Sequence, residues 1–461
     1  MKKQSIILTL VLLLSGCGSM LRSEYQIPEM QIPETWQGQS EQTTDAQERW
    51  WTLFDDPQLI ALIDRALAEN NDLAAAAVRV QRARLNAGLA DTNLTPSVNV
   101  GADGGVSRNF DANRNTQSYS VSASLNYEID LWGKLARERD IAAWEAAATE
   151  FDRQSAALAL IGTTAQLYWE IAYLNQRIQN SEASVASTQK TCDLVRAQKN
   201  AGAVSALDLV LSEQSLASQK AAHETLLMQR EQKRHALAIL FDQPPTEYIG
   251  ETISLWDATL PQLHEGVPAE ILARRPDLAA AEWRLRSALA NVDLTRASFY
   301  PAFSLTGSLG SSSSRLSDIV QNPIGTLGVG LILPFIQWNT TQLTIDIARA
   351  DYEEVVINFR QTFYAALLDV EDALTARIHY RAQNPYLEES LTLAQQAEKL
   401  SEVRYRTGAT SIQDWLDAQD KRRSAEDTLS QNQLDCLLAQ MDVYKALGGD
   451  PVLPRDEESV Q

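Results

Sequence analysis

Asp414 and Asp417 stand three residues apart in the stretch TGATSIQDWLDAQD (407–420), just after Gly408. Acids at i and i+3 share one face of a helix. The stretch has a gapless counterpart upstream, AGAVSALDLVLSEQ (201–214), in which Gly202 answers to Gly408, Ser205 to Ser411 and Asp208 to Asp414, an offset of 408 − 202 = 206. Only the later copy carries the second acid. The chemistry open to the pair is electrostatic. The chain shows no nucleophile–base set and no Gly-rich phosphate loop. His223, His235, His264 and His379 are scattered, and neither Cys192 nor Cys436 has a CxxC partner. The alternative for the two acids is a solvated helix face.

Cys17 offers a second chemistry. Lys2 and Lys3 precede the apolar run Ile6–Leu14 and then LSGC (14–17). This is the layout of a secretory signal with a small-residue cleavage site, and the Leu-Ser-Gly-Cys order is that of a bacterial lipobox. Residues 1–16 are expected to be removed and Cys17 to carry lipid. An ordinary signal with an incidental Cys is the other reading. Gly18 stands where lipoproteins retained in the inner membrane usually carry Asp, which points to the outer membrane. A diacylglyceryl group with a further acyl chain meets the two-chain requirement for stable anchoring. No later run of 18 apolar residues exists, so no transmembrane helix is expected. With 60 acids against 40 basic residues, and two lysines lost with the signal, the mature charge is 38 − 60 = −22. A polyanion of this kind does not hold nucleic acid by phosphate neutralisation.

The elements that position these residues repeat. The stretch 71–100 answers to 276–305, with Pro96 meeting Pro301, and 124–134 answers to 329–341, with Trp132 meeting Trp338. The landmarks share an offset of about 205 residues, a duplication too long for a solenoid period. Each half begins with helices, at 57–69 and 72–95 and again at 267–273 and 276–297. Two alternating stretches follow in each, at 97–107 and 118–130, then 301–311 and 325–336, joined by polar loops 107–117 and 311–325. In the second of these, Tyr119, Val121, Ala123, Leu125, Tyr127 and Ile129 alternate without a break with Ser118, Ser120, Ser122, Ser124, Asn126, Glu128 and Asp130. Strands of about 9–11 residues with one apolar and one polar face are those of a membrane β-barrel; a half-buried soluble sheet is the alternative. Four strands cannot close a barrel, and open edges in lipid leave backbone groups unpaired. Two, three or four copies must therefore share one barrel.

A long helical run follows each strand pair, ~133–200 and ~339–406, the second containing Pro385, where a kink or offset is expected. About 65 residues reach roughly 100 Å. Each then meets a Gly turn and reverses into a shorter helix, ~203–241 or ~409–447, so that a return helix and an earlier short helix together match one long one.

The motifs WW..FDDPQL..LI..AL..N.DL (50–73), RRPDL..AE (274–282), YP (300–301), the two tip turns and KALGGD (445–450) resemble, as an ordered set, the TolC-type outer membrane factors. With the lipobox they are similar to the OprM/CusC-like (NodT-type) efflux lipoproteins. The resemblance implies an α+β membrane protein. Its homotrimer would form a 12-stranded outer-membrane β-barrel, four strands per chain, continued by a periplasmic 12-helix α-barrel with an internal two-fold repeat. In domain terms it implies a signal peptide (1–16), a lipidated segment and equatorial strap (17–55), repeat 1 (56–241), an equatorial linker (242–265), repeat 2 (266–447) and a C-terminal tail (448–461). It implies no catalysis and no cofactor beyond the lipid on Cys17. The function it implies is an exit duct of a tripartite exporter, partnered by a periplasmic adaptor and an RND-type, proton-driven pump; an ABC-type transporter is the alternative.

The same resemblance assigns roles. Gly202, Ala203, Ser205, Gly408, Ala409 and Ser411 would form the periplasmic tips where an adaptor docks. Asp414 and Asp417 match the acid pair of the lumen constriction, where three copies make carboxylate rings that attract cations. Tyr405 matches a gate-linking tyrosine, and Asp208 the acid of the neighbouring hairpin. Thr410 stands where some members carry a basic residue, which weakens inter-hairpin ion pairing. Trimeric adhesins also build a barrel from four strands per chain, but theirs are consecutive and C-terminal. A soluble coiled-coil scaffold would leave the lipobox and the strand faces unexplained.

Overall fold

The computed structural model describes residues 21–33, 49–246, 255, 274–321 and 323–449. Cys17, the signal 1–16, the expected helix 267–273 and most of the linker 242–265 and tail 448–461 lie outside the described residues. The chain divides into two compact units, one of residues 1–31, 77–152 and 277–362, the other of 32–76, 153–276 and 363–461. The division cuts across both repeats rather than between them.

The first unit holds one antiparallel sheet, β1 (Ser97–Asn109), β2 (Arg114–Ile129), β3 (Ala302–Ser313) and β4 (Ile324–Ile332), in that spatial order. The hairpin β1–β2 runs further than the alternation indicated. Pairing continues to Asn109↔Arg114 and shrinks the expected loop 107–117 to 110–113, closed by Asn109 Oδ1 accepting from the Asp111 and Ala112 amides. β4 stops earlier, because Pro334 has no N–H for the ladder, and Pro334–Ile336 form a 3₁₀ turn. The register keeps the two faces separate. Val98 pairs Leu125, Val100 pairs Ala123, Tyr127 pairs Leu305 and Leu305 pairs Val329, whereas Ser124 pairs Asn99 and Ser308, and Thr306 pairs Gly328. The apolar face is uncovered in the chain: Val100 is 75 %, Leu327 86 % and Val329 77 % exposed. A contiguous apolar surface of this kind calls for lipid or another apolar partner. Among the described residues, β1 and β4 are the two unpaired edges of the sheet.

The α-helices are α1 (Pro57–Glu69), α2 (Asn71–Thr92), α3 (Lys134–Asn200), α4 (Ala206–Ile239), α5 (Pro276–Ser298), α6 (Trp338–Arg406) and α7 (Ile412–Ala446), with 3₁₀ turns at Trp50–Phe54 and Leu316–Asp318. Asp56 caps α1 by accepting from the Gln58 and Leu59 amides, with Pro57 at the first helical position. Asn70 ends α1 and caps α2 through the Leu73 amide. α2 stops at Thr92, short of the expected 95, in turns closed by the Thr92 and Thr95 hydroxyls before Pro96. α6 runs on through Pro385 as one helix, although the proline has no N–H to offer the Arg381 carbonyl.

The core of the second unit explains three of the quoted motifs at once. Trp50 stacks on Tyr444 at 5.5 Å, Phe54 meets Trp169 at 4.9 Å, and Leu59, Ile63, Ile161 and Ile171 are fully buried around them. Burying each such side chain stabilises by about 1.5–3 kcal/mol. Arg275 donates to the Ala366 and Ala446 carbonyls and to Asp369. Gly448 packs against that arginine so closely that a Cβ would sit 2.9 Å from the Arg275 amide nitrogen. WW, RRP and GG are thus parts of one joint.

Candidate functional site at the hairpin tips

Both helical hairpins reverse by the same device. After α3, the Gly202 amide donates to the Lys199 carbonyl and the Ala203 amide to the Gln198 carbonyl, each at 2.9 Å. After α6, the Gly408 amide donates to Tyr405 (2.9 Å) and the Ala409 amide to Arg404 (2.8 Å). This pair of bonds is the Schellman closure, which needs a left-handed residue. The two glycines supply it with φ of 75° and 76°. Nothing lies within 4 Å of a Cβ built on either, so a side chain would meet only the backbone penalty. Ala203 and Ala409 are the residues that close each turn.

The helix starts differ. Ser205 and Asp208 form a full capping box on α4: the Ser205 amide and hydroxyl donate to Asp208 Oδ2 (2.8 and 2.7 Å) and the Asp208 amide donates to Ser205 Oγ (3.2 Å). At α7, Ser411 makes no cap to the backbone; its hydroxyl only reaches Asp414 Oδ2 at 3.3 Å. The Asp414 carboxylate, the counterpart of one consumed by its own helix terminus, is therefore left available. The hydroxyl of Thr410, next to Ser411 in the chain, is buried with no hydrogen-bond partner among the described residues.

The tips lie side by side. Val195, Tyr405, Ile412, Trp415 and Leu416 form a buried cluster, with Val204 and Leu209 of the first hairpin packed against it. The Tyr405 ring leans on Trp415 at 5.5 Å, and its hydroxyl donates to Gln198 Oε1 at 2.6 Å. Burial, and then the nearby Asp208 charge, push this phenol above its ordinary pKa. Within one chain Tyr405 thus reaches across to α3 through Gln198, while Asp208 is held in its own cap. Gln198 carries no sequence signal, because it lies 207 residues from its partner.

Asp414 and Asp417 are exposed and open onto a groove of about 670 Å³ between α6 and α7, whose walls include Leu387, Ser401, Ala418 and Lys421. Gln413 donates to Asp417 Oδ1 at 2.6 Å and holds that carboxylate along the helix. Lys421, four residues past Asp417, puts a cation on the same groove; the i, i+4 spacing could have revealed it. Arg422 bridges Glu398 of α6 and Glu426, both at 2.6 Å, and ties the second hairpin to itself. Arg177 clamps Asp427 through two nitrogens at 3.1 and 2.6 Å, tying α3 to α7. The acid pair is thus displayed on a hairpin braced by ion pairs below the tip and by the Tyr405–Trp415 cluster at it.

The family model for outer membrane efflux proteins matches residues 62–241 and again residues 267–449. The chain belongs to the outer membrane efflux protein family. The two matched segments correspond to the two sequence repeats. The chain is similar to the pyoverdine export outer membrane protein OpmQ of Pseudomonas putida, 34 % identical over 430 residues that cover 90 % of this chain and 92 % of that one. It is also similar to toxin and drug export protein A of Aggregatibacter actinomycetemcomitans, 28 % identical over 87 % of this chain and 88 % of the relative. Among solved structures, the open state of the Neisseria gonorrhoeae MtrE outer membrane channel superposes with a TM-score of 0.82 at 28 % identity, covering 93 % of this chain and 98 % of that one. The protein is an outer membrane efflux channel of the α+β channel fold, mostly helical with one four-stranded sheet per chain. Members of the family are conduits rather than enzymes, and they work with a periplasmic adaptor and an inner-membrane pump.

Proposed function

We propose that three copies of this efflux channel share one 12-stranded barrel and one periplasmic helical tube. In this reading the assembly is the passive exit duct for small toxic compounds delivered by a proton-driven inner-membrane pump through an adaptor docked on the Gly202 and Gly408 tips. The observation that carries the reading is the four-stranded sheet with an uncovered apolar face and two free edges, which lipid and neighbouring copies would satisfy. Cys17 carries the lipid anchor. Asp414 and Asp417 form the narrowest acidic rings of the closed duct, since they face an open groove on the hairpin with the weaker cap. A second reading is the outer membrane component of an ABC-driven secretion system, kept because one relative's name joins toxin export to drug export. Detergent-extracted protein is expected to have the mass of a trimer, and Cys17→Ala to leave it trimeric; a stable monomer with full β-signal would overturn the assembly. Co-purification with an adaptor and a proton-driven pump, or with an ATPase, separates the two cargo readings.

A further inference from the structure

At the base of the sheet, where β2 and β4 end and β3 begins, a hollow of about 490 Å³ is lined by Leu21, Phe299, Tyr300, Phe335, Trp338 and Ile345. That volume is in the range of small-ligand sites. Its polar lining is already engaged. Thr341 donates to the Gln337 carbonyl, Gln342 donates to Asp346, and Arg296 and Arg349 pair with Asp293 and Asp346. What remains free is aromatic and aliphatic surface, Trp338 being 70 % exposed. Trp132, whose indole N–H donates to the Pro301 carbonyl, leans on Tyr300 at 4.9 Å at the same end. Aromatics at strand ends mark a membrane interface.

The N-terminal arm leads to this hollow. Tyr25 lies under Arg286 at 4.4 Å and donates to Glu282, Ser23 donates through its amide (2.8 Å) and hydroxyl (2.7 Å) to the buried Asp293, and Leu21 joins Phe299 in the hollow. Read backwards, the arm climbs α5 towards the sheet, clasped at each step. Cys17 is four residues further, within about 14 Å of extended chain. We propose that this hollow seats an acyl chain of the lipid on Cys17, so that the anchor is docked on its own barrel and not free in the bilayer. The proposal rests on the lipidation of Cys17.

The test feeds cells a diazirine-bearing fatty acid, irradiates the membranes and maps cross-links on the purified assembly, with intact mass reporting lipidation separately. Cross-links are expected on the peptides holding Phe299–Pro301 and Phe335–Ile345. They should fall several-fold in Phe335→Ala with Trp338→Ala and vanish in Cys17→Ser. Cross-links that persist in Cys17→Ser would assign the hollow to bulk membrane lipid and overturn the proposal. Lipidated protein without cross-links there would also overturn it, leaving the acyl chain in the bilayer or the hollow covered by a neighbouring copy. A mass without lipid would refute the Cys17 reading itself.

Discussion

Replacing Tyr405 by Phe removes one atom from the tip and leaves the ring on Trp415. The lost bond is the 2.6 Å donation to Gln198, which joins the second hairpin to the first. Gln198 is only half-buried, so water replaces the donor, and the cost is the net value of a hydrogen bond, about 1 kcal/mol. That is about a fivefold gain in the opening of one hairpin. If the three hairpins of the proposed trimer open together, about 3 kcal/mol gives roughly a 150-fold gain in the open-to-closed ratio. Single-channel recording in planar bilayers measures this ratio. Gln198→Leu should give a gain of similar size, and the double variant should add little, because both remove the same bond. The phenol's raised pKa sets the pH window. A group bound more tightly to its proton in the folded state keeps its stabilisation below the unfolded value near 10 and loses it as pH rises through the folded value. The gain should therefore be flat from about pH 5 to 9. An unchanged open probability in Tyr405→Phe, or fully additive effects in the double variant, would refute the role given to this contact.

The other expectations concern charge, caps and faces. Asp414→Ala with Asp417→Ala should lower cation selectivity and weaken block by multivalent cations in the same recordings, since fixed charges in a narrow passage act through a lower effective dielectric than bulk water; unchanged selectivity would make them surface acids. Ser205→Ala should lower the thermal stability of the first hairpin by about 1 kcal/mol, and Ser411→Ala by much less, because only the former closes a capping box; hydrogen exchange at the two tips reports the difference. Val121→Arg should hinder assembly by roughly 2–4 kcal/mol, as for a lipid-facing arginine at mid-depth, whereas Ser124→Arg, on the opposite face of β2, should assemble normally; equal damage, followed by trimer yield on native gels, would contradict the assignment of faces.

Periodicity by itself determined most of the elements. A strict period of two in 118–130 can place its apolar residues on one face only, and Pro-poor runs of this length can hardly be anything but long helices. Internal repetition located both tip glycines, because a Schellman turn demands positive φ wherever it recurs. Strand ends were less legible, since Asn109 to Arg114 pair through backbone groups that any side chain permits, while Pro334 ended β4 through a missing N–H. Tertiary structure alone decided the partners. It drew WW, RRP and GG, far apart in sequence, into one joint, and within one chain it placed the Tyr405 hydroxyl on Gln198. The repeats read as two copies of one tip, yet one acid is consumed by its capping serine and the other is left facing a groove. Local composition specifies which groups can bond. Which of them meet depends on how distant helices pack, and that is a property of the whole chain's buried surface.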